Sequence, residues 1–90
     1  MGRAWLFAEF AFDTDWPSWE VHPQGDELVY VLEGDVEFWF ETAAGRIDKQ
    51  RVTGRGLVVV PRGTWHTAKV FAPSRLLHVT MGDGTENRPA

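Results

Sequence analysis

No stretch of this chain carries its apolar residues at a helical period. Val, Phe, Trp and Leu fall instead in short runs, each closed by Gly, Pro, Asp or Ser, and that punctuation reads as all-β. Eight runs are expected to be strands: 5–12, 18–22, 27–33, 36–41, 46–52, 57–60, 64–71 and 75–81. Gly34-Asp35, between the third and fourth runs, reads as a tight hairpin turn, because Gly accepts positive φ without steric penalty. From Gly82 onward the chain is polar, and 82–90 are expected to form a frayed, flexible tail. About eight short antiparallel strands at this spacing suggest a sandwich, a jelly roll or a barrel.

A chain of 90 residues makes one small domain, 1–90, with a thin core. There is no Cys, so burial must hold the domain together, aided by a metal or a second subunit. The apolar first run, with Trp5, Phe7, Phe10 and Phe12, is expected to pack against a second copy in a homodimer. Trp39 shares a strand face with Glu37 and Glu41 and is a further candidate contact. A net charge of −4 argues against a phosphate-backbone partner, which wants a basic stripe. No apolar run approaches the roughly 18–20 residues of a membrane-spanning helix. Met1-Gly2-Arg3 does not open a signal peptide. The expectation is a cytoplasmic protein with neither nucleic-acid nor membrane partners.

Chemistry-bearing residues cluster in two places. Glu20 and His22 are two apart in an extended stretch, so both project from one face, roughly 6–7 Å apart along the backbone. Residues 23–26 reverse the chain, and Glu27 opens the returning strand beside them. His66 follows Pro61-Arg62-Gly63-Thr64-Trp65 at the start of a later strand. Two histidines and a carboxylate with open positions suit non-haem Fe(II), Mn or Zn. Plainer readings of the same residues exist. His66 alone reads as a hydrogen-bonded histidine at a barrel mouth, Glu27 as a strand-edge carboxylate or a partner of Arg62, and Glu20 as a surface ion-pair member.

Taken together, these residues resemble the cupin superfamily. His22, four intervening residues, Glu27, six more and Gly34 match its first motif, over 19–34. Gly56, the 57–60 run, Pro61, Gly63 and His66 resemble its second, over 56–66. The resemblance implies a small single-domain cupin, a double-stranded β-helix or jelly-roll barrel. It also implies one divalent transition metal (Fe, Mn, Ni or Zn) held by Glu20, His22, Glu27 and His66. Two departures stand out: Glu20 occupies the place usual for a first histidine, and the Gly56-to-Pro61 gap is one residue short. Two Glu and two neutral His make a near-neutral site, which favours oxygen-liking ions such as Mn or Fe(II). Alternatively, Glu20 orients His22 or a bound water from outside the ligand set.

If the Glu27 face is the barrel interior, Val29, Phe38, Phe40 and His78 line a substrate pocket; otherwise they are core. Trp16 and Trp19 are candidates to cover its mouth, and Trp65 should point away from His66. The functional expectation is a metal-binding domain with a small-molecule pocket, acting as a dioxygenase- or isomerase-like enzyme. The alternative is a non-enzymatic ligand-binding or sensory cupin, since this fold hosts many activities.

Overall fold

Every strand in the computed structural model pairs antiparallel, and the structure describes residues 5–81 and 83–90. Met1-Gly2-Arg3 and Gly82, the first residue of the polar tail, lie outside the described residues. Seven strands occur among the described residues: β1 (Trp5–Phe12), β2 (Ser18–Val21), β3 (Glu27–Glu41), β4 (Ile47–Thr53), β5 (Gly56–Val60), β6 (His66–Met81) and β7 (Glu86–Pro89). They run in the order β4-β3-β6-β2-β7, with β1 added beside β6 and β5 beside β3. This is an all-β jelly roll, with seven strands where the sequence suggests eight, because two pairs of expected strands are each one bent strand and a further strand forms in the tail.

The expected hairpin at Gly34-Asp35 is absent: β3 runs straight through it over 15 residues. Its first half pairs with β5 and the end of β6, its second with β4 and the beginning of β6. The register shifts between Val31 and Val36, so one strand bends and serves both halves of the roll. Gly34 has φ +128°, and a Cβ there would fall 2.0 Å from the Ser74 Oγ of β6. Glycine is needed for close approach of two backbones, not for a turn. The Ser74 hydroxyl sits in this gap, accepting from the Asp35 N–H at 3.0 Å and donating to the Ala72 carbonyl at 2.8 Å. The expected break at Ala72-Pro73-Ser74 is likewise only an irregularity inside the 16-residue β6. Pro73 falls between the paired residues Ala72 and Ser74, where no ladder N–H is needed.

A strand also forms within the tail that the sequence suggests is frayed. β7 pairs with β2, setting Trp19 opposite Arg88 and Glu20 opposite Asn87. The Arg88 guanidinium lies 4.6 Å from the Trp65 ring centroid and 5.3 Å from that of Trp19, and donates to Glu41 Oε2 at 2.6 Å. A ladder and one shared arginine hold this strand, neither of which a hydrophobic pattern reveals.

Alternation along β3 sends Val29, Val31, Val36 and Phe38 into a core completed by Val58, Val60, Ala68, Leu76 and Trp16. Trp39, on the other face, is covered within the chain by Lys49 and Lys69, 4.4 and 4.8 Å from its ring, and donates to Glu37 Oε1. Outside the roll, the register aligns Phe7, Val79, Leu28 and Val59 across β1, β6, β3 and β5. Leu77, Tyr30 and Leu57 form the adjacent row. Residues directly opposite share a face, so these rows make one apolar outer surface. Phe7 is 69% exposed there, Leu57 54% and Val59 49%.

Candidate metal centre

Three strand ends converge on one end of the roll. Glu20 of β2 pairs with His66, the first residue of β6, and His22 follows directly on β2. Glu27 opens β3 with its side chain turned inward, and the turn before it is tied to the β5–β6 loop. Arg62 N–H donates to Asp26 Oδ1 at 2.8 Å, and Gly63 N–H to the His22 carbonyl at 3.0 Å. The Pro-x-Gly turn thus fixes the two motifs to each other, and Arg62 meets Asp26 through its backbone.

Glu27, His22 and His66 are all buried, and Glu20 is half-buried. Glu27 Oε1 lies 3.1 Å from His66 Nε2 and 3.4 Å from His22 Nε2. Glu20 Oε1 is 3.7 Å from the same His22 nitrogen. Donor atoms of Glu20, His22 and His66 all lie within 4.8 Å of one another. Two donors each about 2.1 Å from one ion and at right angles stand about 3.0 Å apart, so the spacing is that of ligands around a common centre.

Hydrogen bonding around the set also fits a cation. His66 Nδ1 faces the Thr64 carbonyl at 3.0 Å; a carbonyl only accepts, so Nδ1 carries the proton. In the neutral ring, Nε2 then turns its lone pair toward Glu27. Burial alone would raise the Glu27 carboxyl pKa, but the His22, His66 and His78 rings and the Thr80 hydroxyl outweigh it and hold the group well below the usual range. Either a proton on Nε2, the arrangement in which the rings lower the Glu27 pKa, or a shared cation satisfies both groups at this distance. His22 Nδ1 is engaged with Thr85 Oγ1 at 2.9 Å, leaving Nε2 toward the centre, buried and without a hydrogen bond. Such outer partners fix ring orientation in metal sites. The residues present therefore fit a divalent ion held by His22, Glu27 and His66, with Glu20 within reach.

A cavity of about 480 Å³ opens beside this cluster. Glu20, His22, Glu27 and His78 reach it, together with Thr80 and Thr85; its apolar wall is Leu6, Ala8, Phe10, Phe12 and Trp16. Of the four residues read as substrate-lining, His78 lies in the cavity. Val29 and Phe38 are fully buried core, and Phe40 packs against that core outside the cavity. Strand alternation tells which side chains point inward but not which end of the roll they reach.

Sequence reading missed the wall contributed by β1 and two hydroxyls. Thr80 was findable: it lies two residues beyond His78 on the same face of β6 and donates to Glu27 Oε2. Thr85 and the β1 residues carry no such local signal. Trp16 is no outer cover; it is 6% exposed and packs beside His78, Phe12 and Phe38. Trp19 and Trp65 lie outside the cavity lining, on Arg88.

The fold is that of cupin proteins. A cupin-2 domain containing protein from Shewanella frigidimarina superposes with a TM-score of 0.71 over 86% of this chain and 70% of its own, at 17% identity. Oxalate decarboxylase from Bacillus subtilis, described for its Mn(II) centres, superposes with a TM-score of 0.76 over 97% of this chain and 24% of its own, at 14% identity. In sequence, Germin-like protein 1-2 from Oryza sativa subsp. japonica is 49% identical over 45 residues, half of this chain. The match spans 20% of that protein's length. No protein-family profile matches the chain.

Proposed function

We propose that this chain is a metal-binding cupin domain in which His22, Glu27, His66 and Glu20 hold one divalent transition ion beside a cavity for a small organic molecule. The observation that carries this reading is the buried Glu27 carboxyl group, with two imidazole Nε2 atoms 3.1 and 3.4 Å from one of its oxygens. Two carboxylates in the donor set favour Mn(II) or Fe(II) over softer choices, in keeping with the Mn(II) centres of the structurally similar decarboxylase. When bound, such an ion supplies a Lewis acid to a ligand oxygen. The chain's own residues do the rest. Thr64 and Thr85 orient the two imidazoles, Thr80 and His78 hold the second oxygen of Glu27, and the β1 and Trp16 wall excludes water from one side.

Elemental analysis of untagged protein purified without chelator, beside its His66→Ala variant, tests the reading. Near-stoichiometric metal that disappears in the variant is expected. Metal absent from both, even after reconstitution with Mn(II), overturns it.

The domain is further proposed to pair with a second copy through the outer apolar rows on β1, β6, β3 and β5. Their exposed side chains amount to on the order of 600 Å² per chain, which doubled reaches the lower end of stable interfaces. The rows are apolar except for Glu9, which lies opposite Leu77 at the β1 end of the second row, and such a surface can meet its own copy across a two-fold axis.

A further inference from the structure

Behind the candidate metal centre, outside the cavity lining, one cation touches the elements that carry its donor residues. The Arg88 guanidinium of β7 lies 5.3 Å from the Trp19 ring centroid and 4.6 Å from that of Trp65, and donates to Glu41 Oε2 at 2.6 Å. Trp19 precedes Glu20 on β2, and its side chain takes the opposite face of that strand. Trp65 is the residue before His66. Glu41 ends β3, the strand that Glu27 opens, and its N–H donates to the Trp65 carbonyl at 2.9 Å.

The strands of Glu20 and His66 meet through a short ladder. β2 and β6 register at one position, Glu20 opposite His66. Single hydrogen bonds flank it, from the Thr67 hydroxyl to the Ser18 carbonyl at 2.9 Å and from the Trp16 N–H to the Ala68 carbonyl at 3.0 Å. Glu20 and His66 supply two of the three donor atoms that lie within 4.8 Å of one another, so the spacing of these strands sets the width of the donor set. A flat guanidinium held against a ring from each side, and bonded to the carboxylate of a third strand, sets that spacing from behind.

The same arginine reaches the centre by a second route. The β2–β7 register places Val21 opposite Glu86, and Thr85, the residue before Glu86, meets His22 Nδ1 through its Oγ1 at 2.9 Å. Glu86, Asn87 and Pro89 are exposed, so Arg88 is the side chain that anchors β7. We infer that Arg88 is the positioning residue of this centre. It fixes the spacing of Glu20 and His66 through Trp19 and Trp65, and through β7 it holds Thr85 on the His22 ring. It is not itself a donor to the ion. The consequence for ion binding rests on the proposed function, whereas the positioning rests on the fold alone.

The test compares Arg88→Ala with Arg51→Ala. Arg51 is a matched control: it pairs with Asp35 and lies 4.2 Å from the Phe71 ring centroid, but it stands on β4, which carries none of the four donor residues. Mn(II) titration followed by electron paramagnetic resonance should show about 10-fold weaker binding in Arg88→Ala, the lower end of what outer partners of metal ligands are worth, and parent affinity in Arg51→Ala. In chelator-treated protein, nuclear magnetic resonance signals of the His22 and His66 rings should move in Arg88→Ala and stay in place in Arg51→Ala. A merely structural role would move both variants alike. Arg88→Gln keeps the side-chain stem, should act in the same direction, and stands in if Arg88→Ala does not fold. Unmoved ring signals in the Arg88 variants overturn the inference, as do equal effects of the two arginines or unchanged affinity in protein that binds Mn(II). Ring signals that move selectively in protein that takes up no Mn(II) uphold the positioning and remove the metal reading alone.

Discussion

His66 Nε2 stands 3.1 Å from Glu27 Oε1, while the other nitrogen of the same ring is committed to the Thr64 carbonyl. The ring can neither flip nor exchange tautomer without abandoning that carbonyl, so its lone pair is held toward the carboxylate. Glu27→Gln keeps the shape but removes the charge and makes one end of the group a donor. Mn(II) affinity should fall by about 100-fold or more, since loss of mere outer-shell partners already costs 10–100-fold. Titration followed by electron paramagnetic resonance reads this directly. Unchanged affinity would mean that Glu27 is no ligand.

Glu20 is the residue in the cluster whose role depends most on charge. It is half-buried, and its Oε1 lies 3.7 Å from His22 Nε2. Replacing it with histidine raises the net charge of the donor set by one and exchanges a hard oxygen for a nitrogen. Glu20→His should keep a bound ion but move preference from Mn(II) toward Zn(II) or Ni(II), measured by competition at fixed pH. An identical preference order in both proteins would place Glu20 outside the ligand set.

Gly34 tests the bend in β3. Any Cβ there falls 2.0 Å from Ser74 Oγ and 2.6 Å from the Ser74 Cα, so trimming the serine side chain relieves only part of the clash. The backbone also sits at φ +128°, a region that L-residues avoid. Gly34→Ala should cost about 2–4 kcal/mol in urea unfolding, and Ser74→Ala in the same chain should recover less than half. A cost below about 0.5 kcal/mol would show that the strands can part here freely.

The same glycine shows how far the sequence could be read. Gly-Asp between two alternating runs is a strong local hairpin signal, and only the partner strand reveals that it marks a close crossing instead. His22, Glu27 and His66 were legible because each sits at a turn whose Gly and Pro punctuate the motif around it. The cavity wall was not. Ala8 meets His78 across β1 and β6, a pairing between distant parts of the chain that no local period encodes, and Trp16 belongs to no strand. β7 escaped notice because its stability lies in ladder bonds to β2 and in Arg88, not in apolar residues.

Asp35 and Arg51 give a pH dependence with a definite sign. The guanidinium donates to both carboxylate oxygens, each at 2.8 Å, and these bonds, with the arginine charge, hold the Asp35 carboxyl below its ordinary value. A lowered folded-state pKa contributes stability that is present above the unfolded value, about 3.9, and is lost as pH falls through the folded one. Asp35→Asn should therefore unfold at lower urea than the parent at pH 7. The two midpoints should converge as pH drops below about 4. A gap that widens on acidification would contradict the assignment.

Association through the outer sheet face makes the last prediction. Leu28 lies in the middle of the row formed by Phe7, Val79 and Val59, with Leu57 in the next row, and no ion pair crosses either row among the described residues. At the β1 end of the second row Glu9, opposite Leu77, pairs with Arg75. Light scattering at micromolar concentration should give about 20 kDa, twice the 10.2 kDa chain. Leu28→Glu places a like charge on both sides of a two-fold contact and should return the mass to that of one chain. Gln50→Glu adds the same charge on exposed β4, away from these rows, and should leave the pair intact. Circular dichroism of both variants should match the parent, because position 28 faces outward and its substitution leaves the core untouched. A parent protein of single-chain mass, or a Leu28→Glu variant that still pairs, would place any second copy elsewhere.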